Sequence, residues 1–471
     1  MRATCVKHLS AICLLFLVLE LGCRCDSEQN GPSPVPSSWK DLATASKPYA
    51  NSKLRILGED LPPLHSLERL RSEFSGTAGV EIDIDFKNHS KVIQSILEGA
   101  LSNEYKYDVI FVPHKELGRL VGTGSILPMS MFAGQPALKN PSFKPEEQFF
   151  QPFWTEVSTY KGEWYAMPLY LGGSVVVYRK DLIESPEEQE RFRTAYPGAH
   201  LAEPTTLEEW RRLAEFFYRR NEDPPMYGIT LLMSDESLWY NWQSILFAMN
   251  GNVLDAKHGW EYGDIVVNSP EAVAATDLYR ELSKYCPPDA SSYSWGLGIA
   301  KQQAGVSFMT LLQYDVVAEF EDPEKTQLAG KFGYFIPRTE AGDCASQLES
   351  WVAVIPASAR HPEAAWLFLQ WMMDKEVQLR MHLEGNISPR KSTYEDPRVQ
   401  AMPATGAILE SLDSMVPKPT IPEADAIQDI ITRRLQSILA GSASTKDALD
   451  AAARDIEERL RGRAKLRYPV E

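Results

Sequence analysis

An α/β fold is predicted by three observations: a strand–helix–strand succession, a fully apolar strand soon after it, and later helices that open on capping signals. The first strand is Leu54-Arg-Ile-Leu57, and a helical stretch follows over about residues 64–74. Then comes a strict alternation, with Val80, Ile82, Ile84 and Phe86 on one side and Glu81, Asp83 and Asp85 on the other, the period-2 pattern of a strand with one buried face. A further helix is expected over about residues 90–101. Tyr107-Asp-Val-Ile-Phe-Val112 is apolar enough to be covered on both faces, as parallel strands are.

Thr206-Leu-Glu-Glu209 forms a capping box ahead of Trp210, Leu213, Ala214 and Phe217, its hydroxyl and carboxylate serving orphan amides. Pro362 suits the first turn of a helix, Ala364-Ala-Trp-Leu-Phe-Leu-Gln-Trp-Met372, that is apolar around most of its circumference. Ser444-Thr-Lys-Asp447 caps a last helix with Leu449, Ala453, Ile456 and Leu460 on one face. No internal repeat is found.

At 471 residues the chain is long enough for two globular domains. Its 44% hydrophobic and 24% charged content excludes collagen-like, low-complexity and polytopic membrane classes. Asp and Glu exceed Lys and Arg by 64 to 48, a net charge of −16, and no basic run could track a phosphate backbone; no nucleic-acid partner is expected. No GxGxxG, GxxxxGK[ST], GxSxG or HExxH motif occurs, and the eight histidines are scattered. Neither cofactor, metal nor catalytic residue is therefore expected. Gly122-Thr-Gly124 reads as a turn.

Residues 1–22 carry Arg2, Lys7 and the apolar run Leu9–Leu19, too short to span a bilayer and shaped like an export signal. The ending Gly22-Cys23 resembles a bacterial lipoprotein signal, with Cys23 the lipidated residue, although Glu20 stands where such signals carry an apolar side chain. The alternative is ordinary cleavage nearby and a free, secreted protein. Residues 23–51 are polar and broken by prolines, a tether. Of the six cysteines only Cys286 and Cys344 lie beyond the first 25 residues; export permits a disulfide between them, and two buried thiols fit equally.

Several segments in order carry a resemblance to a known family. Tyr107-Asp-Val-Ile-Phe-Val is followed by Gly162-Glu-Trp-Tyr-Ala-Met-Pro168, Val175-Val-Val-Tyr-Arg-Lys-Asp-Leu182 and Pro204-Thr-Thr-Leu-Glu-Glu-Trp210. Met249-Asn-Gly-Asn-Val-Leu254, Ser350-Trp-Val-Ala-Val-Ile-Pro356 and Pro362-Glu-Ala-Ala-Trp-Leu-Phe-Leu369 complete the series. From about Lys53 to Arg463 the chain resembles a bacterial extracellular solute-binding protein of the carbohydrate type, the capturing component of an ABC importer. It departs from the family pattern at Phe308-Met-Thr-Leu-Leu-Gln-Tyr314, where a small residue before the methionine and a tryptophan after the loop are common.

The resemblance implies the two-lobed periplasmic-binding-protein fold with a central cleft and hinge crossings. Carried onto this chain, lobe one is residues 52–170 plus 350–395 and lobe two residues 171–349 plus 396–471. Crossings then fall at Tyr170-Leu-Gly-Gly173 and around Glu349-Ser-Trp351, where Gly172 and Gly173 would form a hinge or only a turn. It also implies a carbohydrate or polyol ligand, ABC permease subunits as partners and an exported monomer held at the membrane by its lipid. A sensor-linked module presenting bound solute to a receptor, or a secreted carbohydrate-active enzyme, are the other readings.

A sugar ring offers a C–H face for aromatic stacking and hydroxyls that need fixed polar partners. In the dense cluster Leu238-Trp-Tyr-Asn-Trp242, Trp239 occupies the position at which relatives stack a sugar, while Trp242 is expected under the helix. Trp351 and then Tyr314 are the further stacking candidates, each weighed against a place in the core. Glu59 and Asp60 follow the first strand and His114 and Lys115 the Asp108–Val112 strand. Those are the carboxyl ends where open α/β sheets bind ligands, though loop charges also stand there merely solvated. Tyr170 and Arg390 complete the candidate set.

Overall fold

The computed structural model describes residues 41–470 apart from 337 and 339–345, so the expected signal, Cys23 and most of the tether lie outside the described residues. In chain order the principal elements begin β1 (Lys53–Glu59), α1 (Pro62–Ala78), β2 (Glu81–Lys87), α2 (His89–Ser102), β3 (Val109–Pro113), β4 (Met167–Pro168) and β5 (Ser174–Arg179). They continue α3 (Leu207–Phe216), β6 (Tyr227–Thr230), α4 (Asp235–Ala248), β7 (Ser307–Gln313), β8 (Phe332–Phe335) and β9 (Trp351–Val354). The last are α5 (Pro362–Met372), α6 (Ala424–Leu439) and α7 (Thr445–Leu460).

The alternation over 80–86 becomes β2, whose Ile82 and Ile84 are buried while Glu81 faces solvent. The apolar run becomes β3, buried from end to end. β1 pairs in parallel with both β2 and β3, and β9 adds antiparallel to β3, giving the order β2-β1-β3-β9-β4. A second sheet runs β8-β5-β7-β6, with β7 antiparallel to β5 and parallel to β6. Each sheet carries its own core: Leu54, Phe74, Ile96, Phe111 and Trp366 pack around the first, Val176, Trp210, Trp242, Phe308 and Ile456 around the second. Val399, Ala404, Ile408 and Leu412 pack into the core of the first sheet.

The helix signals act as their chemistry dictates. The Glu209 N–H donates to Thr206 Oγ1 (3.2 Å), while Glu209 Oε2 accepts from the Thr205 N–H (2.8 Å), so the box closes one residue further back than the motif implies. Ser444 Oγ accepts from the Asp447 N–H at the start of α7, and every residue of α5 from Ala364 to Met372 is buried. Cys286 is a buried free thiol; Cys344 lies outside the described residues.

The chain leaves the first sheet after β4 and enters the second at β5 through Leu169–Gly173. Gly172 and Glu349 exchange both backbone hydrogen bonds, 2.9 and 3.1 Å, so two crossing strands run side by side. A Cβ on Gly172 would stand 2.6 Å from the Glu349 carbonyl oxygen, and one on Gly173 2.6 Å from the Tyr314 ring. Close approach of backbone to backbone and backbone to ring accounts for both glycines.

Candidate functional site

Where the carboxyl ends of β1, β3 and β7 face one another, the two sheets enclose a cavity of about 720 Å³. Parallel strands end there with helix amino termini and irregular backbone close by, which leaves polar groups free for a ligand. From the first sheet come Glu59 at the end of β1, Pro113 at the end of β3, and Lys115 and Glu116 just beyond. α2 supplies a wall of Ile93, Leu97 and Leu101, each four residues from the last, beside the stripe of Val92, Ile96 and Ala100 that enters the core. The crossing strands supply Tyr170, Glu349 and Trp351. Opposite stand Ser237 and Tyr240 of α4, Trp295, Gln313 and Asp315 from the second sheet's side, and Asp425 and Gln428 of α6.

Hydrogen bonds fix most of these groups. His89 Nδ1 lies 2.8 Å from Glu59 Oε2, and the His89 ring meets Trp351 edge to face at 6.0 Å. Trp351 is held by its carbonyl, which accepts from the Leu169 N–H at 2.7 Å, while Ser350 Oγ donates to the Tyr170 carbonyl at 2.7 Å. Lys115 Nζ donates to Asp425 Oδ1 (2.7 Å) and Gln428 Oε1 (3.3 Å), and Arg119 donates to Asp425 Oδ2 (2.6 Å), so loop and helix are tied across the cavity by charge-assisted bonds. Burial, reinforced by the Asp425 charge, pushes the Glu116 carboxyl up to about 7. The Lys418 ammonium meets the Glu349 carboxylate beneath the cavity and lies 4.9 Å from the Tyr240 ring centroid.

Of the residues singled out above, Glu59, Lys115, Tyr170 and Trp351 line this cavity. The other five stand elsewhere. Trp239 is 4% exposed in the second core, 5.7 Å from Trp242, because α4 turns Ser237 and Tyr240 to the cavity and Trp239 to the side. Tyr314 is fully buried, its hydroxyl bonded to Ser411 Oγ. Asp60 points to solvent and bonds His65 at 2.6 Å. His114 is wholly buried, 3.6 Å from Glu349, and burial with the nearby Lys418 charge lowers its imidazole to about 3, so it is neutral. Arg390 is a core clamp whose Nη1 donates to the Met373 carbonyl (2.9 Å) and Gln148 (3.1 Å).

Tyr240 and Asp315 were not among the sequence candidates, yet each sits one residue after one that was. Asp315 is 9% exposed, its Oδ1 is buried without a hydrogen-bond donor, and burial pushes its carboxyl up to about 7. The width of the apolar face of α2, Val92-Ile93, Ile96-Leu97 and Ala100-Leu101, is the signal that this helix serves both core and cavity. Among the described residues no group of three or more His, Cys, Asp or Glu is placed to hold a metal ion.

A cleft at strand ends, walled by two sheets and built of aromatic rings with carboxylates and amides, is suited to holding a polar solute. The comparisons with known proteins agree. The chain is 30% identical over 324 residues to the mannitol-binding protein of Pseudomonas aeruginosa, covering 64% of this chain and 70% of that one. It is 21% identical to the galactooligosaccharide-binding protein of Bacillus subtilis, over 90% and 93% of the two chains. An ABC transporter solute-binding protein of Agrobacterium radiobacter, solved with ribitol, superposes with a TM-score of 0.74 at 22% identity, covering 87% of this chain and 99% of that one. Structural neighbours of this kind establish the two-lobed α/β architecture. With the family model for the bacterial extracellular solute-binding protein matched over residues 67–379, this chain belongs to that family.

Proposed function

We propose that the protein is the exported capturing component of an ABC importer, which binds a sugar or polyol by closing two lobes on it and hands it to the permease. One observation carries this reading: a single cavity draws its aromatic faces, Trp351, Tyr170 and Tyr240, and its hydroxyl partners, Glu59, Gln313 and Asp315, from both sheets. A solute seated there gains contacts in the closed state that the open state lacks, so binding shifts the population toward closure by that difference in affinity. The mannitol-, galactooligosaccharide- and ribitol-binding relatives support the ligand class. No covalent step is required, and none of the cavity groups needs a cofactor.

Closure would turn on the two adjacent crossings, Tyr170–Gly173 and Glu349–Trp351, with Gly172 and Gly173 at the hinge. Anchoring would come from lipid on Cys23, and Cys23→Ser would then release the protein from membranes. The sensor reading uses the same cleft; copurification with permease subunits rather than a receptor separates the two. A thermal-shift screen against monosaccharides, oligosaccharides, polyols and glycerol phosphates tests the core of the proposal. A cognate solute at a hundred times its Kd stabilises by about 2.7 kcal/mol. A folded protein that no carbohydrate or polyol stabilises would refute it.

A further inference from the structure

The cleft is more acidic than a neutral polyol requires. Among its described lining residues seven are carboxylates and one is a lysine. Most of those acids are already matched: Glu59 with His89, Glu349 with Lys418, and Glu116 and Asp425 with Arg119 and Lys115. Asp315 is different. Its Oδ1 is buried without a donor, no cation of the chain pairs with it among the described residues, and the charges that act on it, Glu319 and Glu59, share its sign. A buried acceptor left unmade is costly, and a buried charge left unpaired more so. Asp315 follows the end of β7 by two residues and lines the cavity, where a ligand can supply what the fold withholds.

A hydroxyl would satisfy the hydrogen bond but leave the charge. An ammonium satisfies both, and the aromatic rings of Trp351 and Tyr170, which line the same cavity, attract cations as well. We propose that the solute carries a protonated amine, an amino sugar or amino polyol, and that Asp315 is the residue that selects it. The inference rests on the reading of this cavity as a carbohydrate or polyol site. The same acidity bars uronates and sugar phosphates, for which a site needs donors and cations that here are spent on internal pairs.

The test is calorimetric titration of the mature protein at pH 7.5 with two matched series. One is 1-amino-1-deoxy-D-mannitol, D-mannitol and D-mannonate; the other is D-glucosamine, D-glucose and D-glucuronate. In at least one series the amine is expected to bind tenfold or more tighter than its neutral parent, with no binding of the carboxylate. Asp315→Asn, nearly isosteric, is expected to abolish that preference, the amine and its neutral parent then binding within threefold of each other. Should that variant not fold, Asp315→Glu, which keeps the charge and moves it, is expected to keep a preference for the amine. A wild-type protein that binds the neutral parent as tightly as the amine, or an amine preference that survives in Asp315→Asn, overturns the proposal while leaving carbohydrate capture standing. Failure of a folded wild-type protein to bind any of the six counts against both.

Discussion

Trp351 and Trp239 are nearly equal in burial, 7% and 4% exposed, and opposite in place. Trp351 opens β9 at a crossing, beside the ends of β1 and β3, with one side toward the cavity and His89 at its edge. Trp239 sits within α4, packed with Trp242 and Leu238 among the side chains under the second sheet. What separates the aromatic that lines the cavity from the one that does not is position relative to the strand ends, and accessible area alone does not reveal it. Open α/β sheets leave unfilled space just beyond those ends and fill it nearly everywhere else.

Exchanging the two residues for alanine is the sharpest way to break this contrast. Trp239→Ala removes a large side chain from a filled core and is expected to cost about 3–5 kcal/mol of stability, with ligand affinity of the surviving folded protein within a few-fold of wild type. Trp351→Ala is expected to weaken carbohydrate binding by about 1–3 kcal/mol, the scale of one lost apolar stacking face, with a smaller loss of stability. Denaturant midpoints and titration calorimetry on both variants check this; loss of affinity in Trp239→Ala alone would reverse the assignments.

A smaller effect concerns Asp315. Its carboxyl titrates near 7 in the ligand-free fold and near 3.8 when unfolded, so the unfolded chain gives up its proton first. The sign follows: the group favours the folded state fully below about pH 4 and loses that contribution as the pH rises through 7. Asp315→Asn is therefore expected to exceed the wild-type melting temperature by least at pH 4.5 and by most at pH 8, about 2–4 °C for each kcal/mol recovered. A group that strengthens binding while weakening the empty fold marks a site, since structural residues do the reverse.

The strands and their order of appearance were legible because β2 and β3 bury their residues in patterns that only a sheet produces. The places of Glu59 and Lys115 beside the cavity were legible because strand ends can be counted from the sequence, and those of Tyr170 and Trp351 because they flank the crossings. Trp239 stood in the way of Tyr240 because Leu238-Trp-Tyr-Asn-Trp242 is aromatic on several faces, so no polar stripe tells which side meets solvent. Asp315 was invisible for another reason. An acidic residue after a strand reads as surface, and only the fold shows Tyr314 turned inward over Gly173 and its neighbour left buried at the cavity.

The central claim is that the solute is held between the two sheets, and hydrogen–deuterium exchange on the mature protein tests it most directly. With the ligand identified by the screen at saturation, exchange is expected to slow together in residues 113–116, 237–241, 313–316 and 349–352, and to stay unchanged in α3 and α7. Protection confined to one sheet's segments, or placed away from the strand ends, would contradict capture between them.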